Sequence, residues 1–314
     1  MAHLSNSVNV LDQAHGELWS AYLADCVEGV AGLPSDTVDY SVYSPPFSSL
    51  YIYSESCRDM GNVDGDDAFQ ESYRHLVREK LRATKPGRLT SIHVKDLVYY
   101  SNASDKGDRG LRDFTGECIR THVEEGWTFH ARTTIWRCPV REMQKAKPDG
   151  LLFKNFRTDA GRVRQGLCEY LITFRKWAPG MEETTPITHD PREFPLDWWQ
   201  QAASPVWNYG DDDLPETDVL NVRQARDDKA EKHLCPMPLN ITDRAVKLWS
   251  NKGDTVLSPF MGIGSEGHVV LKLGRKFIGF ELNPTYYAQA AKHLESAETL
   301  AASGSLLSLM EATP

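Results

Sequence analysis
Residues 255–283 constrain the fold of this chain more than any other stretch. A β-rich run at 255–257 breaks into Ser258-Pro259-Phe260-Met261-Gly262-Ile263-Gly264. Apolar positions at 269–273 then carry helical spacing, and 276–280 returns as a strand that ends in Glu281, two residues before Asn283. Strand, loop, helix and strand in so few residues read as a compact βαβ unit, which calls for parallel strands. The two glycines allow close backbone approach to a bound group. An acid at the end of the second strand is placed to accept hydrogen bonds from two ribose hydroxyls. The pattern suits a nucleoside-containing cofactor, and taken alone it suits a tight strand-to-helix turn equally well.

The amino-terminal third repeats the alternation. Residues 18–23 read as a strand that ends at Asp25-Cys26, followed by a helix to Gly32 and a turn at Pro34-Ser35-Asp36. Residues 38–43 are β-rich, and 68–84 carry helical spacing through Phe69, Tyr73, Leu76, Val77 and Leu81, stopped by Pro86-Gly87 ahead of a strand at 89–94. Farther on, a helix is expected at 114–125, strands near 128–136 and 169–174, and a helix at 240–250 closed by Gly253. The predicted fold is a mostly parallel, doubly wound α/β sheet.

The strand at 38–43 breaks at Ser44-Pro45-Pro46-Phe47, because two prolines remove backbone donors and forbid a strand interior. The loop therefore starts at a strand's carboxyl end, the ligand-binding edge of a doubly wound sheet. A proline turn would look the same. As a site, the Ser44 hydroxyl and the Pro45 carbonyl can accept the hydrogens of an amino group, while Phe47 offers a stacking face. An aromatic amine is a poor nucleophile because its lone pair is delocalised into the ring. Two acceptors aimed at its hydrogens draw it toward pyramidal geometry, which suits methyl transfer to nitrogen.

These segments, in this order, resemble the permuted, or beta-class, DNA amino-methyltransferases, which modify N4 of cytosine or N6 of adenine. Ser44-Pro45-Pro46-Phe47 resembles the family's catalytic motif, 259–264 its cofactor loop, Glu281 its ribose-binding acid and Asp25 the acid that meets the cofactor's adenine. Residues 231–239 are similar to a segment that helps form the methionine pocket, and Trp136-Arg137 and 169–176 fall where the family has further motifs. The resemblance implies a Rossmann-like S-adenosyl-L-methionine-dependent methyltransferase fold with a smaller target-recognition lobe. It also implies catalytic residues Ser44, Pro45, Pro46 and Phe47. The implied cofactor contacts are Asp25, Cys26, His233, Pro236, Ser258, Pro259, Phe260, Met261, Gly262, Gly264, Glu266, Glu281 and Asn283. Ser258 and Met237 depart from the Asp and Lys usual there, and Glu266 is an alternative partner for the cofactor's ammonium or a helix-surface acid. A serine opening the catalytic motif points to cytosine N4, with adenine N6 as the alternative, and base flipping brings either into the pocket. A non-catalytic DNA-binding partner subunit is the reading from another class.

On this reading residues 1–100 form the catalytic half of the methyltransferase domain, 100–230 a sheet extension with the target-recognition region, 231–300 the cofactor-binding half and 301–314 a tail. The net charge of −9 runs against a nucleic-acid partner. The local distribution runs for it: Arg132, Arg137, Arg141, Lys145, Lys147, Lys154, Arg157, Arg162, Arg164, Arg175 and Lys176 lie in one stretch. Arg157, Arg162 and Arg164 are singled out as contacts to double-stranded DNA. A solvated surface explains the same run. The following 182–231 is acidic and proline-rich, hence loop-like. The six cysteines show no C-x-x-C spacing, so buried free thiols and no metal are expected. No apolar run spans a membrane and no signal sequence is visible, which predicts a cytoplasmic protein. A homodimer and a cognate nuclease of a restriction-modification system are compatible partners.

Overall fold
The computed structural model describes residues 4–5, 8–46, 66–101, 106–145, 149–177, 179, 184–208, 218–221 and 236–311. In chain order its elements begin β1 (Val10–His15), β2 (Trp19–Ala24), α1 (Cys26–Ala31), β3 (Val38–Tyr43), α2 (Asp66–Ala83) and β4 (Thr84–Val94). A small hairpin, β5 (Leu97–Tyr99) and β6 (Gly110–Arg112), precedes α3 (Phe114–Glu124), β7 (Thr128–Ile135), α4 (Pro139–Lys145) and α5 (Phe153–Asp159). Then come β8 (Glu169–Arg175), α6 (Leu196–Ala202), β9 (Val206–Trp207) and α7 (Leu239–Trp249). The chain closes with β10 (Thr255–Ser258), α8 (Ser265–Lys272), β11 (Lys276–Glu281) and α9 (Pro284–Glu311).

The main sheet has the order β1-β2-β11-β10-β3-β4-β8-β7-β9. β2, β11, β10, β3 and β4 run parallel, while β8 is antiparallel to both β4 and β7. The two strands latest in sequence therefore lie between strands from its beginning. β10 pairs Val256 with Tyr40 and Leu257 with Ser41 of β3. Its other neighbour is β11, so the strand order reverses direction between β10 and β3, where open α/β sheets hold ligands.

Side chains alternate across the pleat. Trp19, Ala21, Tyr40, Val42, Val256 and Phe277 face a core completed by Ile241, Ala245 and Val246 of α7, Val270 and Leu271 of α8, and Tyr287, Ala290 and Leu294 of α9. Tyr22, Tyr43, Ile92, Leu257, Ile278 and Phe280 face the other core, with Val30 of α1, Phe69, Tyr73 and Val77 of α2, and Phe114 and Cys118 of α3. Both faces of the parallel strands are covered by helices, as a parallel sheet requires.

Three expectations change. The helix of 68–84 is followed without a break by a strand that begins at Thr84 and passes through Pro86 and Gly87. The β3–β4 register shifts between Val38 and Tyr40 and Gly87 adopts φ 76°, so the missing proline donor falls in an irregular stretch of the ladder. Within the loop-rich acidic stretch, α6 and β9 form, and β9 docks beside β7 through Thr134–Val206 and Ile135–Trp207. The tail from 301 continues the helix α9 to Glu311. Among the cysteines, Cys26 and Cys118 are buried, Cys138 and Cys168 are partly exposed, and Cys57 and Cys235 lie outside the described residues. Among the described residues no helix is long and apolar enough to cross a membrane.

Candidate active site
The glycine loop is tied to the acid at the end of β11. Gly262 donates its N–H to Glu281 Oε2 at 2.9 Å, and Leu282 and Asn283 donate theirs to Oε1 at 2.9 and 2.8 Å. Met261 N–H bonds the Phe280 carbonyl at 2.9 Å, which holds the loop against the neighbouring strand. Gly264 sits at φ 86° immediately before α8, and a Cβ there would stand 3.2 Å from the Cα of Ala290, so only glycine lets α9 pack this closely. Beside Gly262, by contrast, a Cβ would meet nothing within 4 Å. Asn283 Oδ1 accepts from Thr285 and Tyr286 at 2.9 and 3.2 Å, capping the start of α9.

Two hydroxyls at this loop, Ser258 Oγ and Ser265 Oγ, are buried with no hydrogen-bond partner among the described residues. Such groups are costly unless a ligand or water satisfies them. Glu266, in the first turn of α8, is 3% exposed. Burial pushes its carboxyl up to about 8; its own backbone N–H opposes the rise and the Glu281 carboxylate adds to it. The loop thus presents open space over a glycine, unsatisfied hydroxyls and two acids, a set that fits a cation-bearing nucleoside.

Next to it, β3 ends at Tyr43 and the chain continues into half-buried Ser44 and buried Pro45 and Pro46. The Tyr43 and Phe260 rings lie 5.7 Å apart, joining the two loops at one edge of the sheet. Ser44 Oγ donates to the His93 carbonyl at 2.8 Å. Tyr43 pairs with Ile92, so Ser44 and His93 follow side by side on adjacent parallel strands. His93 Nε2 meets Glu169 Oε2 at 2.9 Å, and Arg137 reaches the same oxygen at 2.5 Å. Burial acts to raise the Glu169 pKa, but the bonds from His93 and Arg137 outweigh it and hold the carboxyl well below the usual carboxylate range. A polar row thus crosses the carboxyl edge of the sheet, from Ser44 through His93 to Glu169 and Arg137.

Beneath this row, on the opposite face, Lys80 is fully buried and its Nζ lies 2.6 Å from the Tyr43 hydroxyl, which in turn lies 3.2 Å from that of Tyr73. Burial drives the Lys80 pKa well below its ordinary value. The strand that leads into Ser44 is therefore anchored by a buried polar cluster.

Asp25 stands at the end of β2, on the far side of β11, and caps α1: its Oδ1 accepts from Val27 and Glu28 N–H at 2.9 and 3.0 Å, leaving Oδ2 out of the cap. Cys26 is buried behind it. Pro236 is half-buried, and Met237, at one of the two departing positions, belongs to the hydrophobic core. Phe47 and His233 lie outside the described residues. Arg157 and Arg162 are exposed, whereas Arg164 is half-buried. The basic run does not form one surface. Arg137 is buried against Glu169, and Lys176 pairs with Asp36 at 2.7 Å at the opposite edge of the sheet, because antiparallel β8 carries its end away from the site. Lys147 and the side chain of Lys145 lie outside the described residues. Sequence reasoning missed His93, Lys80 and the pairing of Glu169. A histidine one residue before the end of a strand was the local signal for the first, and the family motifs at Trp136-Arg137 and 169–176 pointed to the last.

With this geometry in place, a family model described as DNA methylase, that of the N6/N4 methyltransferases, matches residues 38–292. The type II methyltransferase M.MthZI of Methanothermobacter thermautotrophicus is 31% identical over 274 residues, covering 81% of this chain and 70% of the relative. Among solved structures, TTHA0409 of Thermus thermophilus, complexed with S-adenosyl-L-methionine, has a TM-score of 0.61 at 21% identity, covering 87% of this chain and 93% of its own. The PvuII DNA methyltransferase, cytosine-N4-specific, has a TM-score of 0.59 at 16% identity, covering 93% of this chain and 95% of its own. A match across both loops and the strands that carry them means that this chain belongs to the DNA methylase family of N6/N4 methyltransferases.

Proposed function
We propose that this DNA methyltransferase acts on the exocyclic N4 amino group of cytosine in duplex DNA, with the target base flipped out of the stack. S-adenosyl-L-methionine is the cofactor, and when bound it supplies an electrophilic methyl group carried on a sulfonium. The order of segments, with the catalytic motif before the cofactor loop, supports the permuted beta class. Glu281 is the acceptor for the ribose hydroxyls, with Gly262 and Gly264 giving backbone access. Ser258, Pro259, Phe260 and Met261 line the approach, and Asp25, Cys26, His233, Pro236 and Asn283 complete the assigned contacts. Glu266 is the partner for the cofactor's ammonium, because a buried acid beside Glu281 gains most from a neighbouring cation.

The observation that carries the reading is the Ser44 hydroxyl. Its proton is committed to the His93 carbonyl, so its lone pairs are the groups offered to an incoming amine. Ser44 Oγ and the Pro45 carbonyl accept the two amino hydrogens and turn the nitrogen lone pair out of conjugation, while Phe47 stacks the base. No cysteine nucleophile is needed, since the acceptor is an amino nitrogen and not a ring carbon. Serine at this position supports cytosine over adenine.

Modification mapping of DNA from cells expressing the chain, with nucleoside mass spectrometry, tests the assignment. N4-methylcytosine in one sequence context is the expected result. N6-methyladenine would reassign the base and sink the cytosine reading. Unmodified DNA together with calorimetry showing no S-adenosylmethionine binding would leave a non-catalytic partner subunit.

A further inference from the structure
The connection between β7 and β8 leaves and rejoins the sheet at the carboxyl edge that holds Ser44 and His93, since Ile135 ends one strand opposite Glu169, which begins the other. Its outer part closes on itself. Leu151 N–H bonds the Arg164 carbonyl and Arg164 N–H bonds the Asp149 carbonyl, both at 2.8 Å. The root is packed tightly: a Cβ on Gly150 would collide with the Met143 carbonyl oxygen, and one on Gly166 would stand 2.7 Å from the Cβ of Glu142. Glu142 pairs with Lys95, and Asp149 with Arg109 at 3.3 Å.

On this anchored root stands α5, of which no residue is buried. Phe153 is 74% exposed and Phe156 55% exposed, three positions apart and hence on one side of the helix. Lys154, Arg157 and Arg162 are exposed around them, and the Arg157 guanidinium lies 5.9 Å from the centre of the Phe153 ring. Among the described residues, packing of α5 accounts for neither ring. Two aromatic rings held in water among cations, on a loop rooted at the catalytic edge, suit a partner that is both polyanionic and stacked. Duplex DNA has both properties, with phosphates for the cations and base planes for the rings.

We infer that Phe153 and Phe156 form a wedge that enters the duplex beside the target nucleotide and fills the gap left when that base leaves the stack. The inference rests on the DNA methyltransferase reading above. Apolar side chains inserted between base steps unstack and kink a duplex, and that opening costs stacking free energy. Stacking of the neighbouring bases on the aromatic rings offsets much of the cost of flipping. Lys154, Arg157 and Arg162 hold the flanking phosphates and set the depth of insertion.

The test is single-turnover methylation by Phe153→Ala/Phe156→Ala at the site identified by modification mapping. The rate is measured on a matched duplex and on one carrying an abasic position opposite the target base, which is then already unpaired. The double variant should lose about tenfold to a hundredfold on the matched duplex, the equivalent of the lost stacking. It should return to within about threefold of wild type on the abasic duplex, where opening no longer limits. Phe153→Tyr/Phe156→Tyr, which keeps both rings, should rescue the matched rate. Equal loss on both duplexes would overturn the wedge and leave a surface that only aids binding, and an unchanged matched rate would overturn it too. Conversion of a dimeric wild type to a monomer by the alanine variant would assign the face to a second copy of this chain. If wild type methylates neither duplex, the methyltransferase reading fails and the wedge with it; an active wild type beside an unaffected variant sinks the wedge alone.

Discussion

Replacing Glu266 with Gln isolates the energetic consequence of a buried acid at the cofactor loop. The carboxyl is 3% exposed and burial raises its pKa from the usual 4.5 to about 8. Between these values the folded chain keeps the proton and the unfolded chain releases it, so stability falls as pH rises and the loss is complete above about 8. At about 1.4 kcal/mol per pKa unit the shift corresponds to an upper bound of about 5 kcal/mol. Relaxation and water entry lower this to about 2–3 kcal/mol. Gln has the shape of the protonated acid and cannot ionise. Urea unfolding of both proteins from pH 5.5 to 8.5 should therefore show the advantage of Glu266→Gln growing by about 2–3 kcal/mol as pH rises. Other groups titrate alike in the two proteins and cancel in the difference. Two curves that stay parallel within about 0.5 kcal/mol would refute the burial argument. Cofactor binding supplies a second readout: a cation beside Glu266 favours the carboxylate, so wild type should release a proton on binding near pH 7 and the variant should release less. Calorimetry in two buffers of different ionisation enthalpy measures this directly.

Glu281→Ala should weaken S-adenosylmethionine binding by about 1.5–3 kcal/mol, the range for hydrogen bonds to a charged group; unchanged affinity by calorimetry would remove its ribose role. Ser44→Ala should slow single-turnover transfer about tenfold to a hundredfold with cofactor affinity intact, because the lost acceptor acts on the amine alone; full activity would exclude Ser44 from the site. Glu169→Gln should destabilise the fold by about 3 kcal/mol at pH 7 by leaving the Arg137 charge buried without its partner. Because the Glu169 pKa is depressed, its contribution is present above the unfolded value and is lost as pH falls toward the folded one, so the gap from wild type should close in acid. A gap in urea midpoint that persists unchanged into acid would contradict the ion-pair account.

What the sequence determined was local. Strands at 38–43 and 276–280, the helix at 240–250 and the breaks at Ser44-Pro45-Pro46 and Gly262–Gly264 were legible because alternation, helical spacing, proline and glycine act within a few residues. The resemblance then assigned those breaks to one site, and the tertiary structure decided how they meet. β10 inserts beside β3 although 211 positions separate Thr255 from Ser44, and no local preference encodes that neighbour. The same holds for His93 and Glu169, whose contact depends on the register of an antiparallel strand 76 positions away. The basic run read as one stripe because sequence order ignores strand direction, yet β8 takes Glu169 to the site and Arg175 and Lys176 to the opposite edge. Protonation was illegible for the same reason. Glu266 and Lys80 are ordinary charged letters in the sequence, and only burial between packed elements, which removes the water that would solvate them, makes one a weak acid and the other a weak base.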